Sequence, residues 1–153
     1  MDGSAGAFGP LFQIGYVTRN IQFGLATLDG MGATRIDLLE DYRDTDGNPV
    51  MIRALSHLML GDIEIELIEP RPDWPSVYLD ALPDRSDQIA LHHLGYRQPD
   101  VKAWEEVRER ALASGLSIAM EGATPRARFA YLDTCDSVGH FTEIVFREES
   151  ASV

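Results

Sequence analysis

The stretch His93-Leu94-Gly95-Tyr96-Arg97-Gln98-Pro99-Asp100-Val101 decides the fold, because it repeats a pattern that the chain shows once before. The earlier copy, 80 residues upstream, is Gln13-Ile14-Gly15-Tyr16-Val17-Thr18-Arg19-Asn20-Ile21. Both copies read as a metal-ligand-type residue, an aliphatic residue, Gly, Tyr, three mixed residues, Asn or Asp, and an aliphatic residue.

The ends of the two copies also correspond. Ile65-Glu66-Leu67 closes the first and Thr142-Glu143-Ile144 closes the second, each inside an apolar run typical of a strand. Gln13 precedes Glu66 by 53 residues, and His93 precedes Glu143 by 50. We interpret this as an internal duplication in which each copy has a ligand-type residue on its first strand and a carboxylate on its last strand.

Composition limits the class of protein. With 153 residues and 17.0 kDa, the chain is long enough for one core, so we expect two modules within a single domain. The net charge of -12 makes nucleic acid and anionic membrane poor partners. The single cysteine, Cys135, forms no intrachain disulfide, which favours a cytoplasmic location. No apolar run has the ~20 residues that a membrane span needs.

The hydrophobic pattern predicts the same element order, β-α-β-β-β, in both halves. Asn20 and Asp100 are predicted to cap the two helices, and Gly115 to end the second. The predicted strands are 12–18, 35–42, 50–60, 62–69, 92–97, 116–120, 126–133 and 140–147. The predicted organisation is a flexible tail at 1–11, one domain at 12–147 with modules at about 12–70 and 91–147 and a linker at about 71–90, and a tail at 148–153.

Five motifs together carry a resemblance to a known family: Gln13 to Val17, Ile65 to Pro70, His93 to Val101, Phe129 to Asp133, and Gly139 to Glu143. On these motifs, residues 12 to 147 resemble the vicinal oxygen chelate superfamily, which includes glyoxalase I, methylmalonyl-CoA epimerase, extradiol dioxygenases and bleomycin-resistance proteins. The resemblance implies an α+β fold in which two βαβββ modules form a half-open mixed β-barrel.

The resemblance also implies a metal site. Carried over position by position, the ligands are Gln13, Glu66, His93 and Glu143. An isolated strand Glu more often lies on the wet face and an isolated strand His is more often structural, but matching places in a duplication favour ligands. Strand alternation puts His92 on the face opposite His93, so His92 is predicted to have a structural or rim role. The donor set suits one Zn²⁺, Ni²⁺, Co²⁺ or Mn²⁺ ion and does not choose among them.

Further residues are predicted to contact a small-molecule substrate. Arg53 and His57 fall on one face of the same predicted strand, and Tyr131 lies in the Phe129 to Asp133 motif. Each of them is also compatible with an exposed position or with a place at the rim of the core.

The leading hypothesis is a divalent-metal-dependent isomerase, epimerase or lyase of the glyoxalase type. It would act on a small oxygenated carbonyl compound through a metal-stabilised enediolate or enolate, with Glu143 as the catalytic base. One alternative is a non-catalytic small-molecule-binding protein like the bleomycin-resistance group. An extradiol-type dioxygenase fits less well, because Gln13 replaces its first histidine and Glu66 adds a carboxylate. Relatives of this kind often form homodimers.

Overall fold

The computed structural model describes residues 6–149, so residues 1–5 and 150–153 of the two predicted tails lie outside the described part. The strands are β1 Leu11–Thr18, β2 Thr34–Glu40, β3 Ile52–Leu60, β4 Ile63–Pro70, β5 Ile89–Arg97, β6 Ile118–Thr124, β7 Ala127–Leu132 and β8 Phe141–Arg147. The helices are α1 Ile21–Gly30, α2 Val101–Ala113 and α3 Cys135–Val138.

The chain divides into two compact units. The first unit is Gln13–His92, and the second unit is formed by the described residues before Gln13 and after His92. The boundaries fall inside β1 and β5, and the predicted organisation into one domain with two modules stays a prediction.

Both units have the same strand pairing. In the first unit the order is β2-β3-β4-β1, and in the second it is β5-β8-β7-β6. In each unit the first and last strands, β1 with β4 and β5 with β8, form a parallel pair, whereas the other pairs within the unit are antiparallel. The predicted α+β fold class with two βαβββ modules is confirmed.

Helix α1 begins where the sequence predicts, because Asn20 provides its N-terminal cap. The Asn20 side chain accepts hydrogen bonds from the backbone nitrogens of Gln22 and Phe23, which would otherwise lack partners at the start of the helix. The buried face of α1 packs on β3 and β4 in a core that includes Leu25, Leu28 and Leu67.

Helix α2 is built in the same way. The Asp100 side chain accepts from the backbone nitrogen of Ala103, and Gly115 follows the helix with a φ of 98°, a conformation that glycine adopts without strain. Trp104 lies in the core of the second unit, and its Nε1 donates to the Ile144 carbonyl at 3.0 Å. The two helices thus cover corresponding faces of their own sheets.

Some boundaries differ from the predicted ones. Strand β6 begins at Ile118, two residues later than expected, because the backbone nitrogen of Leu116 still bonds to the Ala111 carbonyl and completes the end of α2. The short helix α3 was not predicted. No helix among residues 6–149 is long and apolar enough to cross a membrane.

Strand alternation gives the four strands of each unit a face turned away from the helix of that unit, which we call the site face. In the first unit Leu58 and Ile65 belong to the helix-side core, so their neighbours His57, Glu64 and Glu66 lie on the site face. In the second unit the core takes Ala130, Leu132 and Ile144, which leaves Tyr131 and Glu143 on its site face.

Candidate functional site

The duplication seen in the sequence is also present in the strand register. Gly15 stands directly opposite Glu66 in the β1–β4 pair, and Gly95 stands directly opposite Glu143 in the β5–β8 pair. Directly opposite residues share a face of the sheet. Each carboxylate therefore lies beside a glycine that leaves room for it, two residues beyond Gln13 or His93.

In each unit, the residues that stand directly opposite one another on neighbouring strands form a row across all four strands. In the first unit the row is Gly15, Glu66, His57, Asp37. In the second unit it is Gly95, Glu143, Tyr131, Met120. His57 and Tyr131, both predicted as substrate-binding residues, therefore occupy equivalent positions next to the two glutamates. Their role in substrate binding stays a prediction.

In the second unit, the two predicted ligands lie close together and out of solvent. His93 is 0% exposed and Glu143 is 5% exposed, and His93 Nε2 lies 3.6 Å from Glu143 Oε2. The Tyr131 ring packs against the imidazole with 5.0 Å between ring centroids, and Phe141 lies 6.0 Å from Tyr131. An imidazole and a carboxylate are both common ligands of divalent cations, and their binding of a metal stays a prediction.

In the first unit, Gln13 is 2% exposed and its Nε2 donates to Glu64 Oε2 at 2.6 Å. A carboxylate only accepts hydrogen bonds when it is ionised, so this contact assigns the amide nitrogen to the side of Glu64. The amide oxygen is then the Gln13 atom that would bind a cation. Glu64 was not singled out by the sequence, because only the register of β1 against β4 identifies it as the residue opposite Gln13.

His57 joins two carboxylates. Its Nδ1 lies 3.0 and 3.1 Å from the two Asp37 oxygens, and its Nε2 lies 3.0 Å from Glu66 Oε2. Burial alone would lower the pKa of His57, but the hydrogen bond and charge of Glu66, together with Asp37, raise it to about 9. His57 is therefore protonated at neutral pH in the structure described here.

Arg53 has a different environment from His57. The β3–β4 register is irregular between Ile52 and Ala54, and Arg53 forms an ion pair with Glu69. Glu69 Oε1 also accepts from the backbone nitrogen of Ile21, the first residue of α1, at 2.8 Å. Arg53 thus helps to hold a carboxylate at the start of a helix, a favourable place for negative charge. Its predicted contact with substrate stays a prediction.

His92 is buried on the opposite face of β5 from His93, as strand alternation predicts. Its Nε2 lies 3.1 Å from the Val77 carbonyl, and its ring packs on Tyr78 with 4.9 Å between centroids. Both partners belong to the segment that the sequence predicts as a linker. His92 therefore anchors this segment to β5.

The burial of His92 predicts a loss of stability in mild acid. Desolvation lowers its pKa to about 4 from the ordinary 6.5, and the hydrogen bond with Val77 opposes this only in part. Because the folded-state pKa is depressed, protonation favours the unfolded chain, so stability present above pH 6.5 is lost as the pH falls towards 4. We expect a loss of roughly 2 to 3 kcal/mol between pH 7 and 4.5 from this group.

Urea unfolding of the wild type and of His92→Gln at both pH values measures this contribution. The variant should be less stable at pH 7 but should lose less stability on acidification. Equal losses in the two proteins would show that His92 does not contribute to the acid sensitivity.

A family model with the description Glyoxalase/Bleomycin resistance protein/Dioxygenase superfamily matches residues 12–131. Among solved structures, methylmalonyl-CoA epimerase from Mycobacterium tuberculosis is similar with a TM-score of 0.68 and 18% identity, covering 96% of this chain and 93% of that one. A hypothetical protein from Bacillus halodurans has a TM-score of 0.66 and 21% identity, with 94% and 98% covered.

A third similar structure is methylmalonyl-CoA epimerase from Streptomyces coelicolor in complex with 2-nitronate-propionyl-CoA, with a TM-score of 0.66 and 17% identity, covering 94% of this chain and 99% of that one. No curated protein sequence matches the chain. Because the sequence identities to these structures are low, they establish only the fold. The family model, which matches most of the chain, establishes the family. The chain belongs to the glyoxalase/bleomycin resistance protein/dioxygenase superfamily, and the family predicted from its duplicated motifs is confirmed.

Proposed function

We propose that Glu66, His93 and Glu143 bind one divalent metal ion, with Gln13 as a fourth ligand, in a metal-dependent isomerase, epimerase or lyase of the glyoxalase type. The observation that carries the proposal is the repeated register, which places a ligand-type residue and a carboxylate on the same face of the parallel strand pair in each unit. A chance arrangement of solvated acidic residues would not recur at equivalent positions.

The side chains fit such an ion by their chemistry. Two carboxylates, one imidazole and one amide oxygen neutralise a divalent charge and match the preferences of Zn²⁺, Ni²⁺, Co²⁺ and Mn²⁺. The ligand pattern is also closer to that of zinc-type glyoxalase I than to that of the epimerases, whose pattern has His in place of Gln13 and Gln in place of Glu66. When bound, the metal would act as a Lewis acid that makes the hydrogen next to a substrate carbonyl more acidic.

Glu143 is the residue that we propose to take up that proton and to return it. Its side chain is buried, lies opposite Tyr131 in the β7–β8 pair and has its Oε2 3.6 Å from His93 Nε2. A carboxylate is a suitable general base for such a step. Tyr131 would orient the substrate against this carboxylate.

The proposed substrate is a small, uncharged or weakly charged carbonyl compound with an adjacent hydroxyl or carbonyl oxygen. Two of the similar structures are complexes of methylmalonyl-CoA epimerase, one with 2-nitronate-propionyl-CoA and one with methylmalonyl-CoA. The site face of the first unit carries three carboxylates, Asp37 and Glu66 in contact with His57 and Glu64 in contact with Gln13. Together with the net charge of -12, this disfavours a highly phosphorylated ligand. Assembly as a homodimer and a cytoplasmic location belong to the same proposal.

The test is proton exchange at the carbon next to the carbonyl. Small 2-hydroxy and 2-oxo aldehydes, ketones and acids are incubated in D₂O with the metal-loaded protein, and the proton signal of that carbon is followed by NMR. We expect exchange with at least one compound, and none with the metal-stripped protein. Metal binding without exchange in any compound, combined with tight binding of a cationic drug, would favour the resistance-protein function instead.

A further inference from the structure

The two glutamates of the proposed site are equivalent by duplication, but their surroundings differ. Across the sheet from Glu66 lie His57 and then Asp37, whereas across from Glu143 lie Tyr131 and then Met120. Both carboxylates lie near an imidazole, but the His57 ring beside Glu66 continues to a second carboxylate, Asp37, whereas the cross-strand neighbour of Glu143 is the Tyr131 ring. Equivalent backbone positions with such different neighbours suggest different tasks.

His57 has little freedom to move. Both ring nitrogens have carboxylate partners, and Asp37 Oδ1 also accepts from the backbone nitrogen of His57 at 2.8 Å. The His57 side chain is mostly buried, with 18% of its surface exposed. A ring held at both ends in this way fixes the orientation of the carboxylate that it contacts.

We propose that His57, itself held by Asp37, is a positioning residue that orients Glu66 as a metal ligand and leaves proton transfer to Glu143. This inference rests on the proposed metal site and extends it to two residues that would not touch the metal. Partners of this kind keep a ligand in place before the ion arrives, and their loss typically weakens metal affinity by about 10- to 100-fold.

A purely structural role for His57 gives a different expectation. The chain Asp37–His57–Glu66 links β2, β3 and β4, so its loss would also lower the stability of the first unit. Stability, however, does not determine the affinity of the folded protein for a metal. Weaker Co²⁺ binding together with an altered Co²⁺ spectrum in a folded variant therefore reports lost orientation of Glu66.

The experiment titrates Co²⁺ into the metal-stripped full-length wild type, His57→Leu, His57→Gln and Asp37→Asn, with binding followed by calorimetry and by the visible absorption of bound Co²⁺. Asp41→Asn is the matched control, because Asp41 is an exposed aspartate that pairs with Arg43 and Arg71 outside this chain of contacts. Circular dichroism establishes that each variant is folded before titration.

We expect His57→Leu to bind Co²⁺ about 10- to 100-fold more weakly with an altered absorption spectrum. His57→Gln, whose amide can still donate to Glu66, should recover part of the affinity. Asp37→Asn should lose less affinity than His57→Leu, and Asp41→Asn should match the wild type.

Unchanged or tighter binding by folded His57→Leu and His57→Gln would overturn the inference and leave the metal site intact. Absence of Co²⁺ binding by the wild type would instead overturn the proposed function, and this inference with it. If His57→Leu does not fold, the comparison of His57→Gln and Asp37→Asn with the wild type decides.

Discussion

Replacement of Glu143 by Gln is expected to lower turnover by about 10²- to 10⁴-fold, the usual contribution of a general base. The substitution keeps the size of the side chain and an oxygen that can still bind a metal, but it removes the group that takes up the proton. Metal affinity should therefore fall only in part. The measurement compares the rate of proton exchange in D₂O and the Co²⁺ affinity of the variant with those of the wild type.

Glu148→Gln is the matched control for this variant. Glu148 is an exposed glutamate that directly follows β8, so the same chemical change there should leave both measurements unchanged. Full activity of Glu143→Gln would contradict the assignment of Glu143 as the base. A complete loss of metal from this variant would show that its role as a ligand outweighs its role as a base.

Replacement of His93 by Ala is expected to remove the metal, with affinity reduced by more than about 100-fold, because a direct ligand contributes more than the groups that orient it. His92→Ala is the adjacent control. Its ring contacts Val77 and Tyr78 on the other face of the strand, so the metal should be kept while stability falls by on the order of 2 kcal/mol.

Elemental analysis of the two purified variants, together with urea unfolding, separates these effects. Loss of metal in His92→Ala and retention in His93→Ala would mean that the register of β5 differs by one residue from the one described here. Loss in both would mean that packing around His92 also supports the site.

Local signals in the sequence predicted much of the fold. Asn20 and Asp100 cap their helices and Gly115 follows the second one, because each of these features depends on a few neighbouring residues. The alternation of His92 and His93 between the two faces of β5 was predicted for the same reason. The late start of β6 was not, since Leu116 continues the hydrogen bonding of the helix end.

The candidate site was predictable only as far as the duplication extends. The repeated motifs predicted Gln13, Glu66, His93 and Glu143 as ligands. Alternation places Glu64 on the same face as Glu66, but it does not predict that Glu64 lies opposite Gln13 or that Asp37 lies opposite His57. Their roles depend on the registers of β2 with β3 and of β1 with β4. Simple alternation predicts that Arg53 and His57 share a face of β3. The register is irregular next to Arg53, which pairs with Glu69, whereas His57 contacts Glu66.

The central claim is that the duplicated strand pairs bind a metal. The most direct measurement is elemental analysis of the protein purified without added metal, followed by titration of the stripped protein with Zn²⁺, Ni²⁺, Co²⁺ and Mn²⁺. We predict about one tightly bound divalent ion per chain, in line with a single site of four ligands. Failure of all four ions to bind would contradict the account, and Gln13, Glu66, His93 and Glu143 would then be polar residues lining a cleft for an organic ligand.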